Sequence, residues 1–367
     1  MDGDLLFGLV VVTALAFDFT NGFHDTANVV ATSISTRALP PRVAVGFAAV
    51  LNFVGAFLSL AVAATVAGGI VDAAAITLPV VFAGLIGAIV WNLVTWYAGL
   101  PSSSSHALIG GVVGATLVAH GTGAVKGDGL LGKVIVPALV APVLAFVVAG
   151  IGILIAYRIV GRLRPGPVAR GYRTGQIVSG GLLALAHGTN DAQKTMGVIA
   201  LAMVAHGNLP AADPHPPTWV VVSAASAIAA GTYSGGWRII RTMGTRIIKM
   251  DPAQGFTAQG AGAAVILAAS HVGFPLSTTH VISGGVMGAG AARRLSAVRW
   301  GVAGNIAIAW VLTIPAAGGT GAVVYGFARI FGHGAAGPLI VAVLLVAGLA
   351  WVAVRRLRET RPAEAPA

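Results

Sequence analysis

The residues able to do chemistry sit where hydropathy calls for lipid. Asn21-Gly22-Phe23-His24-Asp25-Thr26-Ala27-Asn28 puts a carboxylate, two amides and an imidazole into an otherwise apolar stretch from Leu5 to Ile34. A related stretch, His187-Gly188-Thr189-Asn190-Asp191-Ala192-Gln193-Lys194, follows in the second half. A carboxylate at mid-membrane costs roughly 2.5–3.5 kcal/mol on insertion scales, so it persists where something uses it. Of the 11 acidic residues, only Asp18, Asp25 and Asp191 fall inside apolar segments. The bland reading is a carboxylate neutralised by a packing partner. Repetition of the motif favours a carboxylate that binds a cation or a proton.

Spacing sharpens this. Asn21, Asp25 and Asn28 lie at i, i+4 and i+7, and His187, Asp191 and Lys194 repeat that spacing, so each set lines one helical face. Lys194 is three residues after Asp191, the geometry of an intramembrane ion pair. Its sharper reading is a built-in cation for an anion, so that the second half needs fewer mobile cations. Asp18 shares the Asp25 face, but its second-half counterpart is Ala184. It is either a proton relay or structural.

A second pair of segments, Pro101-Ser102-Ser103-Ser104-Ser105-His106 and Pro275-Leu276-Ser277-Thr278-Thr279-His280, precedes apolar helical runs. Ser and Thr cap helix N-termini, and such a terminus, with free N–H groups and a positive dipole end, attracts anions. Capping alone accounts for one hydroxyl per helix. The others point to an anion gripped from both sides by Ser103, Ser104, Ser105, Ser277, Thr278 and Thr279. His106 and His280 fix the turns or carry a proton, as do His24 and His187 beside the aspartates. No His/Asp cluster has zinc spacing, and no metal or other cofactor is expected. Gly22 and Gly188 let a helix break or a backbone come close. Asn52 and Asn92 read as glue between helices.

The elements that must position these residues are membrane spans. The chain of 367 residues is 56% hydrophobic and 9% charged, against about 25% charged in soluble domains. Apolar runs near 20 residues recur throughout, whereas the short alternation of a membrane β-barrel is missing. There is no cysteine, hence no disulfide. The net charge of +11 does not point to nucleic acid, because the Lys and Arg residues fall in short clusters between spans.

Eleven spans are expected: Leu5–Ile34 and Ile177–Ala205, both long and interrupted, with Val43–Ala67, Ile76–Leu100, Ala107–Gly121, Val134–Tyr157, Trp219–Gly235, Gly255–Phe274, Val281–Ala292, Trp300–Phe331 and Pro338–Val354. With this count five basic clusters share one side, and only Lys126 and Lys133 lie opposite. The positive-inside rule then puts the N-terminus outside and the C-terminus in the cytoplasm of a multi-pass cell-membrane protein.

The motifs recur in the same order, and each motif histidine is followed by matching glycines, Gly110-Gly111 and Gly114 or Gly284-Gly285 and Gly288. Five spans separate the two starts. Five is odd, so the second copy enters from the other side, as in the inverted repeats of secondary transporters. The expected fold is an all-α polytopic membrane protein of two inverted repeats, 1–157 and 176–331, with broken or re-entrant helices at the centre. A basic cytoplasmic connector (158–175), a final span (332–354) and a cytoplasmic tail (355–367) complete it.

This motif set resembles the inorganic phosphate transporter (PiT) family, over nearly the whole chain. The resemblance implies cation-coupled phosphate uptake. The first copy has His24 where the commoner form has Asn, and that form looks like the bacterial, low-affinity, proton-linked branch, so H+ is favoured over Na+. Asp25, Asp191, Asn21, Asn28, Asn190 and His24 are then expected to hold the cation or proton. The Ser/Thr segments with Lys194 and Thr26 are expected to hold phosphate, alone or as a divalent metal–phosphate complex. His106, His280, His187, Gly22 and Gly188 are structural or proton-carrying. The partners are phosphate and the bilayer, with no nucleic acid; a homodimer is compatible. Sulfate in the same fold and a passive anion channel are the alternatives. An intramembrane aspartyl protease is disfavoured, since the duplicated Ser clusters have no purpose in that chemistry.

Overall fold

The computed structural model describes residues 2–359, and side chains as far as residue 355. Neither motif helix is interrupted. Helix α1 (Asp2–Ser35) runs straight through the first motif, and α8 (Pro165–His206, 42 residues) through the second. Neither contains a proline beyond its first turn, and a continuous helix satisfies its own backbone in an apolar surround. This corrects the expected interruptions. Helix α8 also takes in most of the basic connector.

The breaks lie one element later. Helices α2 (Pro41–Gly55) and α3 (Ala61–Gly68) form one broken rod, whose second part is capped by α8: the N–H groups of Val62 and Ala63 donate to Gln193 Oε1 at 2.8 and 3.2 Å. Helix α4 (Leu78–Ala98) ends at left-handed Gly99 (φ 67°) and returns as α5 (Ser104–His120). A short α6 (Gly127–Leu130) leads through a π-turn into α7 (Val136–Val160). After α8 come α9 (Thr218–Ser234) and α10 (Trp237–Arg241), broken at Gly235-Gly236 as α2 and α3 are broken at 56–60. Next is a second hairpin, α11 (Pro252–His271) and α12 (Thr278–Ala291), then α13 (Trp300–Arg329) and α14 (Ala336–Glu359). The expected tail therefore starts as helix, and its residues 360–367 lie outside the described residues.

Contacts along α1 and α8 fix their relative direction. Asp4 meets His206, Asn21 meets Asp191, and Thr36 meets Gln176. The two motif helices are thus antiparallel and cross near Asn21 and Asp191. The hairpins also enter from opposite faces. Gln176 Nε2 donates to the Pro252 carbonyl at 2.8 Å, so α11 starts at the face where α1 ends. Helix α4 follows α3, which runs alongside the C-terminal half of α8, so the first hairpin opens at the face of Asp4. Each hairpin helix packs on a long helix of the other half. Gly110 and Gly114 lie on the Ile314 and Gly318 carbonyls of α13, and Gly284 and Gly288 on those of Pro142 and Phe146 of α7.

The clusters Arg37/Arg42, Arg158–Arg173, Arg238–Lys249 and Arg293–Arg299 all follow helix ends on the Thr36 face. Two of the expected spans, Ala107–Gly121 and Val281–Ala292, are the short return arms of hairpins. Among the described residues five helices are long and apolar enough to cross a membrane: Asp2–Ser35, Leu78–Ala98, Gly127–Val160, Trp300–Arg329 and Ala336–Arg355. Helices α5 and α12 have only 17 and 14 residues; α12 is almost wholly buried, and α5 is buried up to its last turn. They are apolar because protein surrounds them, which hydropathy does not distinguish from lipid. A hairpin that enters and leaves by one face preserves parity, so the inversion survives the lower count.

The motif glycines serve close approach. A Cβ on Gly188 would overlap the Asn52 carbonyl, and one on Gly22 the Ile228 carbonyl, both rigid backbone. Gly188→Ala is expected to destabilise the protein by about 1–3 kcal/mol, the usual cost of overpacking. Gly304→Ala, which meets nothing within 4 Å, serves as the neutral control. Melting of both variants in detergent checks this.

Candidate functional site at the hairpin tips

The tips of the two hairpins meet where α1 and α8 cross. Ser105 of the first tip donates to the Leu276 carbonyl of the second at 3.0 Å, and the His106 and His280 rings meet edge to face at 4.7 Å. His280 also stacks on Trp310 at 4.0 Å. The motif side chains of α1 and α8 point into this meeting point.

Asp25 is held from two elements, α1 and α12. His24 places Nδ1 2.8 Å from Asp25 Oδ1, so the two groups share one hydrogen bond. Thr278 and Thr279 of the second tip donate to Oδ2 and Oδ1 at 3.3 and 3.4 Å. Asn28 donates to the same two hydroxyls at 3.3 and 2.9 Å, orienting them. His24 is itself fixed through Nε2, which lies 3.1 Å from Thr95 Oγ1 and 3.4 Å from Ser102 Oγ.

Asp191 is held in the mirrored way, with one substitution that matters. Where Asn28 reaches Thr278 and Thr279, Lys194 reaches across to Ser105, the counterpart of Thr279. Its ammonium also donates to Asp191 Oδ1 at 2.5 Å and to the Leu276 carbonyl at 2.8 Å. Three donors meet three oxygens, which is what a fully buried ammonium requires. Asp191 Oδ2 accepts from Asn21 at 3.3 Å and lies 3.5 Å from His187 Nε2. His187 Nδ1 in turn lies 3.2 Å from Asn52 Oδ1.

Asp25, His187 and Asp191 offer donor atoms that all lie within 4.8 Å of one another, and all three are buried. Spacing along the chain could not reveal this cluster, since its members come from two helices. Two carboxylates and one lysine leave an excess negative charge in a low-dielectric centre. The arrangement suits a proton or cation shared between the carboxylates, with hydroxyls beside it to meet an anion. Buried Ser104 Oγ, Asn21 Oδ1 and Asn28 Oδ1 have no hydrogen-bond partner, leaving polar capacity at the same centre.

Other expected site residues are engaged elsewhere. Ser103 and Ser277 accept from the His106 and His280 N–H groups at 3.1 and 3.3 Å as N-caps. Thr26 donates to the Gly22 and Thr232 carbonyls, tying α1 to α9. Asn190 donates to Ser270 Oγ and the Phe274 carbonyl, holding α8 to the second hairpin. Thr95 and the Leu276 carbonyl were not singled out from sequence, and Ser102 was noted only as part of its serine run. A lone Thr late in an apolar helix gives no signal, and a main-chain oxygen gives none at all. Asn52 glues α2 to α9 through Thr232 at 2.8 Å, as expected, and also orients His187.

Comparison with known proteins identifies the family of the chain. The model of the phosphate transporter family matches residues 21–170 and 164–321. The chain is 54% identical over 349 residues to a probable low-affinity inorganic phosphate transporter of Mycobacterium tuberculosis, covering 95% of this chain and 84% of the relative. It is 45% identical over 319 residues to the protein of that description from Bacillus subtilis, covering 86% and 95%. A solved structure described as the sodium-dependent phosphate transporter superposes with a TM-score of 0.81 at 25% identity, over 89% of this chain and 99% of that one.

Proposed function

The chain belongs to the phosphate transporter family, and from that premise we propose that it takes up inorganic phosphate by secondary symport. It is a multi-pass membrane transporter, not an enzyme. The observation that carries the reading is the convergence of two carboxylate motifs and two hydroxyl-bearing hairpin tips, from opposite faces, on one buried centre. Asp25 and Asp191 do not meet phosphate bare; they bind the coupling cation or proton, within the polar frame of His24, Asn21 and Asn28. Phosphate is met by Ser104, Ser105, Thr278 and Thr279, and by Lys194 when a phosphate oxygen replaces Ser105 as its third acceptor. Alternating access is a rocking of the two interlocked halves about this centre.

The coupling ion is H+ in preference to Na+. Support comes from His24 on Asp25 and from Lys194, which already supplies a positive charge at Asp191. The cluster of Asp25, His187 and Asp191 also suits a divalent ion accompanying phosphate. The basic face is cytoplasmic, so the N-terminus is outside and the protein lies in the cell membrane. The deciding experiment is labelled phosphate uptake into proteoliposomes with sodium and proton gradients imposed separately. Uphill uptake driven by the proton gradient alone is expected. Uptake driven only by sodium overturns the choice of ion; equilibration without accumulation makes the protein a channel; displacement of phosphate by equimolar sulfate makes sulfate the substrate.

A further inference from the structure

A polar cavity of about 410 Å³ lies between the end of α4 and α10, away from the Asp25–Asp191 centre. Gly99, Thr242, Trp237 and the side chains of Arg238, Arg241 and Arg246 line it. A water molecule takes up about 30 Å³ of liquid, so the space admits a small ion with its hydration. No Asp or Glu lines the cavity, and among the described residues none pairs with its three arginines.

The cavity connects two levels of the molecule. Gly236, at the start of α10, packs on the Phe23 carbonyl, and Gly244, in the π-turn Thr242–Arg246 that follows, packs on that of Ala31. The arginine-bearing segment therefore runs along α1 from the level of the centre towards the basic face. Thr242 ties it to the first hairpin by donating to the Gly99 carbonyl at 2.9 Å. Three residues after Gly99 stands Ser102, whose hydroxyl lies 3.4 Å from His24 Nε2 in the centre.

Positive-inside bias alone puts arginines on this face, and Arg238 also has structural work. Its Nη1 donates to the Tyr97 carbonyl at 2.5 Å, closing the last turn of α4, and its guanidinium lies 4.9 Å from the centroid of the Tyr97 ring. Arg241 and Arg246 have no such side-chain partner among the described residues. The inverted repeat provides the comparison. In the second hairpin Gly273 packs on the Ala61 carbonyl and Thr65 Oγ1, as Gly99 approaches the Arg238 carbonyl and Thr242 Oγ1. Ala61 and Ala64 thus stand where Arg238 and Arg241 do, and α3 carries no charge. The same joint is built without arginine at the other face, so packing does not demand the three here.

Three guanidinium groups with no carboxylate leave a local positive charge that a mobile anion balances. Their forked N–H groups match the oxygens of a phosphate group. Arg238 is already oriented by Tyr97 and keeps donors to spare, so little freedom is lost on binding. We propose that this cavity is a second phosphate-group site, in which Arg238, Arg241 and Arg246 grip the oxygens. The group is borne by inorganic phosphate passing between the centre and the basic face, or by the headgroup of an anionic lipid entering beside the exposed Trp237. The proposal goes beyond the symport reading, and binding rather than uptake decides it.

The test is modification of the full chain by an arginine-directed dicarbonyl, read residue by residue in mass spectra of its peptides. Arg170 and Arg294, exposed on the same face but outside the cavity, are the controls. In phosphatidylcholine nanodiscs, inorganic phosphate at ten times its Kd is expected to slow modification of Arg241 and Arg246 about tenfold relative to chloride at matched ionic strength. Protection that instead needs phosphatidylglycerol nanodiscs, without added phosphate, assigns the site to a lipid headgroup. Either result supports a phosphate-group site; cavity and control arginines that react alike in every arm overturn it. Protection is also expected to persist in Asp25→Asn, and its loss there overturns the proposal by tracing the effect to the transport centre. In Arg241→Gln/Arg246→Gln the concentration that half-protects Arg238 is expected to rise at least about tenfold, since two charge-assisted contacts are gone. An unchanged concentration in that variant, melting like wild type, overturns the grip assigned to the two side chains. Liposomes that fail to accumulate phosphate strike the symport reading and leave this protection intact, so the two failures are distinct.

Discussion

Asp25→Asn is expected to reduce phosphate uptake by about two orders of magnitude while leaving the protein folded. The amide fills the same volume, its oxygen still accepts from one of Thr278 and Thr279 and its NH2 can donate to the other hydroxyl, so the hairpin tip stays in place. What goes is the negative charge that faces His24 Nδ1 at 2.8 Å, and with it the capacity to hold a cation or proton. Truncating one member of a buried, hydrogen-bonded charge pair costs about 2–5 kcal/mol, and each 1.4 kcal/mol is tenfold in an equilibrium. Initial rates in proteoliposomes at matched protein content, beside melting curves in detergent, measure both effects. Asp25→Glu keeps the charge but displaces it by a methylene, and should recover part of the rate. Uptake by Asp25→Asn within twofold of wild type would remove Asp25 from the transport step.

Much of this centre was legible in the chain because it is duplicated. The matched order of the two Asp motifs and the two Ser/Thr–His segments implied two halves that meet, and odd spacing implied their inversion. In the structure α1 and α8 cross antiparallel and the hairpins enter from opposite faces. Three things were hidden. The first is where the chain breaks. Glycine in a polar motif reads equally as a hinge or as a contact surface, and only the position of the Asn52 and Ile228 carbonyls against Gly188 and Gly22 decides for contact. The second is which hydroxyls remain for a ligand. Ser103 and Ser105 look alike in sequence, yet one caps α5 and the other meets Lys194. That division depends on helix phase at the tip, which a run of four serines does not specify. The join between Asp25, His187 and Asp191 was equally invisible, because it is made across two helices.

Lys194 offers the sharpest separation between holding the protein together and moving phosphate. Its ammonium is fully buried and bound to Asp191, Ser105 and the Leu276 carbonyl, so it joins α8 to both hairpin tips. Lys194→Met keeps much of the length and removes the charge. Asp191 is then a buried anion with only Asn21 and His187 beside it. Removing one partner of a buried pair costs about 3–5 kcal/mol, most of it the penalty of the orphaned charge. The melting temperature of Lys194→Met is therefore expected to fall steeply. In Asp191→Asn/Lys194→Met no charge is orphaned, and replacing a whole buried pair is often close to neutral. The double variant should thus regain most of the lost stability. Transport follows a different rule. If the pair existed only for packing, uptake would return along with the melting temperature. If its charges serve phosphate and the coupling ion, uptake stays lost by the same two orders of magnitude expected for Asp25→Asn, in a protein that folds normally. The second outcome is expected, because the matching position in the first half, Asn28, supports its hairpin tip through hydrogen bonds alone. A purely structural need at Lys194 would be met by the same neutral residue, so the charge is there for what passes through the centre.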